Sequence, residues 1–198
     1  NFDENAVYVN DFEIYRPFLI RSGEQEGLSF VNADMVKTID FYNGGFQAKY
    51  GDKMSSVLDV TYKQPEKFRA TVSASLLGLS ATLEGSSKHH NRLSYIISAR
   101  QKSNQYLLGS LDTKGDYKPS FSDVQAFITY NIRDNVQLNF LGYYSRNIYK
   151  LIPQDRVTTF GLVNQALRLE VFFDGQEVDS YFTETGGLKL TVKPKLAQ

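Results

Sequence analysis

The chain has 198 residues, of which 41% are hydrophobic, and it carries 22 basic side chains, 22 acidic side chains and no cysteine. The balanced charge excludes the basic surface typical of nucleic-acid binding, and the lack of cysteine excludes disulfides, cysteine nucleophiles and zinc–thiolate centres. No apolar run approaches the ~20 residues of a transmembrane helix, but a membrane β-strand needs only ~9–11 alternating residues.

The N-terminal part of the chain predicts a short β-hairpin. Alternating apolar residues run from Ala6 to Ile14 and are interrupted by Asn10-Asp11. Asparagine and aspartate both tolerate positive φ, so this pair is expected to form a tight turn between two strands. The polar stretch from Arg16 to Gly27 then predicts a loop.

A second pair of strands is predicted after this loop. Leu28 to Val36 predicts a short helix, and the apolar residues Val36, Ile39 and Phe41 predict a strand after it. The glycine pair at positions 44 and 45 permits a tight turn, and a returning strand ends in Ser-Val-Leu-Asp-Val. Taken alone, the glycine pair indicates no more than an ordinary β-turn.

The strands that follow Pro65 are longer. Apolar residues occupy even positions up to Leu76 and odd positions from Leu79 onward, which predicts a hairpin with a two-residue turn at Leu77-Gly78. In that register Leu76 pairs with Leu79, Ala74 with Ala81, Val72 with Leu83, and Ala70 with Gly85.

The same alternation predicts four more strands. They start at Leu93, Val124, Val136 and Leu188, and reach about Ser103, Ile132, Tyr144 and Pro194. Short connections at 86–92 and 133–135 alternate with long ones at 104–121 and 148–185. Outer-membrane barrels show this pattern, with short turns on the periplasmic side. The two-residue turn at Leu77-Gly78 is unusually short for the outer side.

The alternation by itself allows two architectures. A soluble β-sandwich turns the apolar faces of its strands inward, whereas a membrane barrel turns them toward lipid. In a barrel, arginine on the lipid face is expected to be costly, and arginine at Gln125 or Gln137 on the opposite face is expected to be mild. The predicted lipid-facing residues are Val124, Ala126, Ile128, Val136, Leu138 and Phe140.

An isolated chain of this kind has open strand edges and an uncovered apolar face. We therefore expect it either to associate and depend on detergent, or to repack its apolar faces inward.

No group of residues predicts catalysis. His89-His90 is expected to be a solvated turn, and the stretch 112–116 a polar loop, because it does not match a calcium-binding loop. The chain shows no carboxylate pair tied to a pocket and no Gly-x-Ser-x-Gly sequence. We therefore expect no enzymatic activity, no cofactor and no metal site.

The stretch Phe-Tyr-Asn-Gly-Gly-Phe-Gln-Ala-Lys-Tyr-Gly at 41–51, preceded by the Asp-Met-Val strand, resembles the plug domain of TonB-dependent outer-membrane receptors. The stretches 94–100, 111–117 and 172–177 resemble the beginning of the barrel in one subgroup of this family. Asn10-Asp11 departs from the family, where Asp-Gly is usual. The resemblance implies a mainly β fold: the C-terminal part of an α+β plug domain at residues 1–66, then about six antiparallel barrel-type strands at residues 67–198.

The resemblance also implies a function. The whole receptor would lie in the outer membrane of a Gram-negative bacterium, bind a small nutrient ligand and import it when the TonB complex pulls on a plug region absent from this chain. The implied partners are therefore that complex, the ligand and the lipid bilayer, with no nucleic acid. In the family, the loop containing Arg16, Phe18 and Arg21 points toward the ligand.

Six strands cannot close around a plug, since such barrels have ~22, so the chain is expected to be a fragment. Two alternatives remain open from the sequence. One is a soluble β-rich binding or adhesion module, and the other is a hydrolase acting on surface glycans.

Overall fold

The chain folds into a small four-stranded sheet, a large six-stranded sheet and a separate two-stranded hairpin. The structure is a computed structural model that describes residues 5–15, 29–45, 47–51, 55–87, 92–103, 115–153, 155–162, 165–172 and 175–194. Among these residues, no helix is long and apolar enough to cross a membrane.

The small sheet contains β1 (Asn5–Val9), β2 (Phe12–Glu13), β3 (Val36–Asn43) and β4 (Ser56–Tyr62), in the order β2-β1-β4-β3. β1 runs parallel to β4, and the other neighbours are antiparallel. Asn10 and Asp11 have φ values of 49° and 67°, which confirms the predicted tight turn between β1 and β2.

The predicted helix before β3 is reduced to one 3₁₀ turn at Ala33–Met35. Asn32 begins this turn, because its side-chain oxygen accepts the Asp34 N–H at 3.1 Å. The chain is already extended at Val36, where β3 starts. The described residues therefore contain no α-helix that would give this part the expected α+β character.

The large sheet is a six-stranded antiparallel sheet, in agreement with the prediction. Its order is β12-β9-β8-β7-β6-β5. The strands are β5 (Arg69–Ser75), β6 (Gly78–Ser86), β7 (Leu93–Lys102), β8 (Gly115–Arg133), β9 (Val136–Pro153) and β12 (Glu177–Val192). Between β9 and β12, β10 (Arg156–Leu162) and β11 (Gln165–Val171) form the separate hairpin.

The long connections are shorter than predicted because pairing continues past the apolar part of each strand. β8 already starts at Gly115, which pairs with Pro153 at the end of β9. These outer parts of the ladder are held by main-chain hydrogen bonds, which apolar alternation does not reveal.

The turn between β5 and β6 was predicted one residue too late. Leu76-Leu77 forms the turn, and Ala74 pairs with Leu79 rather than with Ala81. The predicted pairs of Leu76, Val72 and Ala70 are therefore also wrong, although their strands do share one apolar face. Two contacts explain the shift. The Ser75 hydroxyl accepts the Leu77 N–H at 3.2 Å, and Gly78 already pairs with Lys102 of β7.

The large sheet exposes its apolar face and buries its polar face, which is the reverse of the arrangement in a soluble protein. Val124 and Phe140 are 47% and 38% exposed, whereas Gln125 and Asn139 are 1% and 6% exposed. Of the two outcomes expected for an isolated chain, inward repacking of the apolar face is thus not what the structure shows. The exposed apolar residues of this sheet include Val72, Leu79, Leu83, Ile97, Val124, Tyr130, Ile132, Phe140, Tyr144, Leu188, Leu190 and Val192.

The small sheet packs on the polar face of the large sheet, and a mixed core lies between them. From the small sheet and its loops the core takes Val7, Val9, Ile14, Phe30, Met35, Val60 and Tyr62; from the large sheet it takes Ile96, Phe121, Phe127, Leu141 and Tyr143. The connection between β4 and β5 contains the expected domain boundary at 66/67, which stays a prediction.

Gly78 provides a test of the β5–β6 turn. Its φ is +152°, and a Cβ built there would lie 2.0 Å from the Gln101 carbonyl oxygen. We expect Gly78→Ala to lower the free energy of unfolding by about 1–3 kcal/mol, because backbone strain and a close backbone contact coincide. Gly186→Ala is the control, since a Cβ there meets nothing within 4 Å. Equal effects of the two substitutions in chemical unfolding in detergent would contradict the register described here.

Candidate functional site

The candidate site is the polar interface where residues Ser29–Asp34, here called the latch segment, lie against the inner face of the large sheet. This segment leads into β3. Its backbone carbonyls and side chains meet polar side chains of β6, β7 and β8, most of which are buried.

A buried ion pair is at the centre of the interface. Arg100 and Asp123 lie directly opposite each other on β7 and β8. The Arg100 Nε donates to Asp123 Oδ1 at 2.9 Å, and Nη2 donates to Oδ2 at 2.5 Å. Their side chains are only 7% and 1% exposed. Both members of the pair belong to the large sheet, so it is complete without the small sheet.

Arg100 also holds the latch segment. Its Nη1 donates to the Val31 carbonyl at 3.3 Å, and its Nη2 donates to the Ser29 carbonyl at 3.0 Å. A guanidinium offers five donors in a fixed plane, so one side chain can bind a carboxylate and two carbonyls at once. Arg100 is therefore the residue that joins the two sheets at this point.

Gln125 makes the next contact on the same face of β8. Its Nε2 donates to the Phe30 carbonyl at 2.5 Å and to Asp123 Oδ2 at 3.2 Å, while its Oε1 accepts the Tyr62 hydroxyl at 2.9 Å. The mild effect expected of arginine at Gln125 assumed an open polar face, whereas Gln125 is fully buried, so we expect arginine to be costly there. The inner face is not an open aqueous surface at this position, because the latch segment covers it.

Tyr62 brings β4 to the same site. Burial raises the pKa of the Tyr62 phenol well above its usual value. The hydroxyl therefore keeps its proton at physiological pH, which makes Tyr62 a hydrogen-bond donor to Gln125.

Asn32 and Asp34 extend the contacts to β6 and β7. The Asn32 Nδ2 donates to the Ser98 hydroxyl at 2.8 Å, and Ser98 is also 2.8 Å from the Thr82 hydroxyl. The Ser80 hydroxyl donates to Asp34 Oδ2 at 3.1 Å. The latch segment is thus bonded to three strands of the large sheet.

The tip of the β1–β2 hairpin makes a second attachment, to β12. Lys189 forms an ion pair with Asp11. Phe12 lies against Gly187, where an added Cβ would come within 2.6 Å of the ring. Glycine at position 187 therefore leaves the space that this aromatic ring occupies.

Other buried polar groups on the inner face have no hydrogen-bond partner among the described residues. They include the Thr129 hydroxyl, the Asn139 side-chain oxygen and both polar atoms of the Asn147 amide. Buried groups of this kind are normally satisfied by ordered water. We therefore expect a hydrated interface between the sheets.

The ligand-facing residues predicted from the sequence, Arg16, Phe18 and Arg21, lie outside the described residues, as do His89-His90 and positions 112–114. Within the described ranges, no cluster of three or more His, Asp or Glu side chains could hold a metal ion. The sequence analysis missed Arg100, Asp123 and Asn32. A cation and an acid on the polar faces of consecutive strands were visible, but only the strand register shows that they meet.

No protein-family model and no curated protein sequence matches this chain. Solved structures of mutants of the ferric enterobactin receptor PfeA from Pseudomonas aeruginosa are similar to it. A double mutant has a TM-score of 0.49 and 16% identity over 74% of this chain and 25% of the receptor chain. Another mutant has a TM-score of 0.47 and 14% identity over 93% and 33%. The chain thus spans a quarter to a third of these receptors, and a likeness at this level assigns neither a family nor a ligand.

The ion pair at the centre of the site can be tested by removing one charge. Asp123→Asn leaves the Arg100 guanidinium buried without its carboxylate, so we expect the free energy of unfolding to fall by about 3–5 kcal/mol. The matched control is Glu170→Gln, which removes the partner of the exposed Arg168. That change is expected to cost less than about 1 kcal/mol. Similar small losses for both variants, measured by chemical unfolding, would show that Arg100 and Asp123 are not buried together.

Proposed function

We propose that this chain is part of an outer-membrane receptor of the TonB-dependent type. The small sheet would belong to the plug, at residues 1–66, and the large sheet to the barrel wall, at residues 67–198. The observation that carries the proposal is the inversion of the large sheet, which exposes its apolar face and covers its polar face.

The exposed face has the dimensions of a membrane-spanning surface. Its apolar residues run from Val124 to Ile132 on β8 and from Val136 to Tyr144 on β9. Each run matches the ~9–11 residues that a tilted strand needs to cross the hydrocarbon layer. Exposed apolar surface of this extent is unfavourable in water and favourable in lipid.

The polar face supports the same conclusion. Arg100, Asp123 and Gln125 are buried between the sheets, and Lys189 points inward between the outward-facing Leu188 and Leu190. A soluble sandwich built from this sheet would bury the opposite face. The alternative of a soluble binding or adhesion module is therefore less compatible with the geometry.

The latch segment suggests how a plug could be held and released. Moving the small sheet away breaks the hydrogen bonds from Arg100 to the Ser29 and Val31 carbonyls. The Arg100–Asp123 pair stays intact within the wall, so no buried charge loses its partner. Water can replace hydrogen bonds to carbonyls at a small net cost, because each net bond is worth only about 0.5–1.5 kcal/mol.

In the complete receptor, a small nutrient ligand would bind from outside and enter when the TonB complex pulls on the plug. We propose that Arg16, Phe18 and Arg21 face this ligand. Ser29 follows these residues in the chain, and its carbonyl accepts a hydrogen bond from Arg100. Arg100 lies two residues before the end of β7 at Lys102, which is the end of the sheet with the long connections. This position supports a loop directed toward the outer cavity. No chemistry on the ligand is proposed.

The lipid-facing assignment predicts a difference between the two faces of one strand. Leu138→Arg and Ile128→Arg should each make folding into lipid less favourable by about 2–4 kcal/mol, if these positions lie near the bilayer midplane. Gln137→Arg is the control, because Gln137 precedes Leu138 on the inner face and is only half-buried. We expect that variant to fold nearly as well as the original chain.

Folding titrations in lipid vesicles provide the measurement. Equal losses for Leu138→Arg and Gln137→Arg would contradict the assignment. A monodisperse chain in detergent-free buffer with its apolar face uncovered would favour the soluble module instead.

A further inference from the structure

A polar pocket of about 380 Å³ lies on the inner face of the large sheet, at the end where the short connections are. One row of its lining crosses four neighbouring strands in register: Arg92 just before β7, Asn131 on β8, Gln137 on β9 and Thr191 on β12. The Asn131 N–H donates to the Arg92 carbonyl at 2.7 Å, which fixes the first pair of the row. Since neighbouring strands lie ~4.8 Å apart, the row spans roughly 14 Å. The pocket therefore has the size of a small-molecule site.

The strand register places this row on the polar face of the sheet. Gln137 lies two residues before the buried Asn139, and side chains two residues apart on a strand share one face. Lys193 lies two residues after Thr191 and therefore has the same orientation, whereas Val192 between them is on the exposed apolar face. The pocket thus opens toward the interior of the proposed barrel and not toward lipid.

The charges of the pocket favour an anion. Arg92 and Lys193 line it from the two outermost strands of the row, and neither forms an ion pair with another described residue. Arg133 and Asp134, which also line the pocket, have opposite charges. The described lining is therefore positive as a whole, and its two inner cations stand at opposite ends of the row.

Neutral polar groups lie between the two cations. The Gln137 Nε2 donates to Asn131 Oδ1 at 2.9 Å, which leaves the Asn131 Nδ2 able to donate and the Gln137 Oε1 able to accept. The next row further in contains Thr129 and Asn139, which are paired across the strands and buried. The Thr129 hydroxyl and the Asn139 side-chain oxygen have no hydrogen-bond partner among the described residues. A polar solute in the pocket, together with its water, can satisfy these groups.

An apolar row separates the pocket from the latch segment. Ile96, Phe127 and Leu141 lie opposite one another on β7, β8 and β9, and they are 0%, 2% and 1% exposed. The pocket therefore lies on one side of this closed core, and the contacts of Arg100 and Gln125 lie on the other. It is a second site, distinct from the one that holds the latch segment.

We infer that this pocket binds a small hydrophilic solute with more than one acidic group. One carboxylate or phosphate would be held by the Arg92 guanidinium, which can bind it in a bidentate manner, and a second would lie at the Lys193 ammonium. Hydroxyl or amide groups between them would bond to Asn131, Gln137 and Thr191. The place of this site in transport rests on the proposed function, in which the short connections face the periplasm. There the pocket would hold the solute after it has passed the apolar row and before it leaves the barrel.

The experiment measures binding of three anions to the full chain in a non-ionic detergent by calorimetric titration. Citrate and pyrophosphate each carry more than one acidic group, and acetate carries one. The test variants are Arg92→Gln, Lys193→Gln and the double variant. The control variant carries Arg146→Gln and Lys150→Gln, which removes two exposed cations that pair with Phe182 and Val178 on the opposite face. Circular dichroism checks that every variant keeps its sheet.

We expect citrate or pyrophosphate to bind the original chain more tightly than acetate does. Each single substitution should weaken that binding by roughly 5-fold and the double variant by roughly 25-fold at low ionic strength, because each cation contacts a separate acidic group. The advantage over acetate should disappear in either single variant and persist in the control. Added salt should weaken binding. The main-chain bonds Asn131 N–H to Arg92 O and Lys193 N–H to Asn135 O do not depend on the replaced side chains.

Three results would overturn the inference. They are no binding of citrate or pyrophosphate, equal binding by the original chain and the double variant, and an equal loss in the control variant, which would indicate general charge attraction. The relative affinities of citrate and pyrophosphate show whether carboxylate or phosphate is preferred. Binding in detergent requires no bilayer, so its failure would leave the lipid-facing assignment intact. A chain that binds citrate in this pocket but does not associate with lipid vesicles would contradict the proposed function and keep the site.

Discussion

Arg100 constrains the rest of this structure, because a buried guanidinium must have its charge and its donors satisfied where it lies. Asp123 satisfies the charge from the opposite strand, and the Ser29 and Val31 carbonyls accept two further N–H groups. These hydrogen bonds hold the small sheet against the polar face of the large sheet. With that face covered, the apolar residues of the same strands can only point away, since side chains alternate along a strand.

The interface combines two kinds of stabilisation with different consequences. Phe30 and Tyr143, whose ring centroids are 4.4 Å apart, belong to an apolar core that favours the closed arrangement. Around this core, Gln125, Ser98 and Ser80 of the large sheet bond the latch segment through contacts that water can replace. Stable packing with exchangeable polar contacts would suit the movable plug proposed above.

The sequence predicts strands well because the alternation of apolar and polar residues is a local signal. It predicts strand pairing less well because pairing depends on residues that are distant in sequence. The six strands of the large sheet and the Asn10-Asp11 turn were predictable from apolar spacing and turn residues. The turn at Leu76-Leu77 was not predictable in this way. Glycine is needed at position 78 because the Gln101 backbone lies against it, and Gln101 is distant in sequence. The alternation of β8 alone predicts that Gln125 faces water, since nothing in β8 shows that Phe30 and Tyr62 cover it.

The central claim is that the even-numbered residues of β8 face lipid. The chain has no cysteine, so single cysteines can be placed from Ser122 to Ile132 and spin-labelled without background. In lipid, we predict that labels at even positions are accessible to oxygen and shielded from a water-soluble nickel chelate, and that labels at odd positions are shielded from oxygen. Even-numbered labels that the nickel chelate reaches, or that neither reagent reaches, would contradict the account.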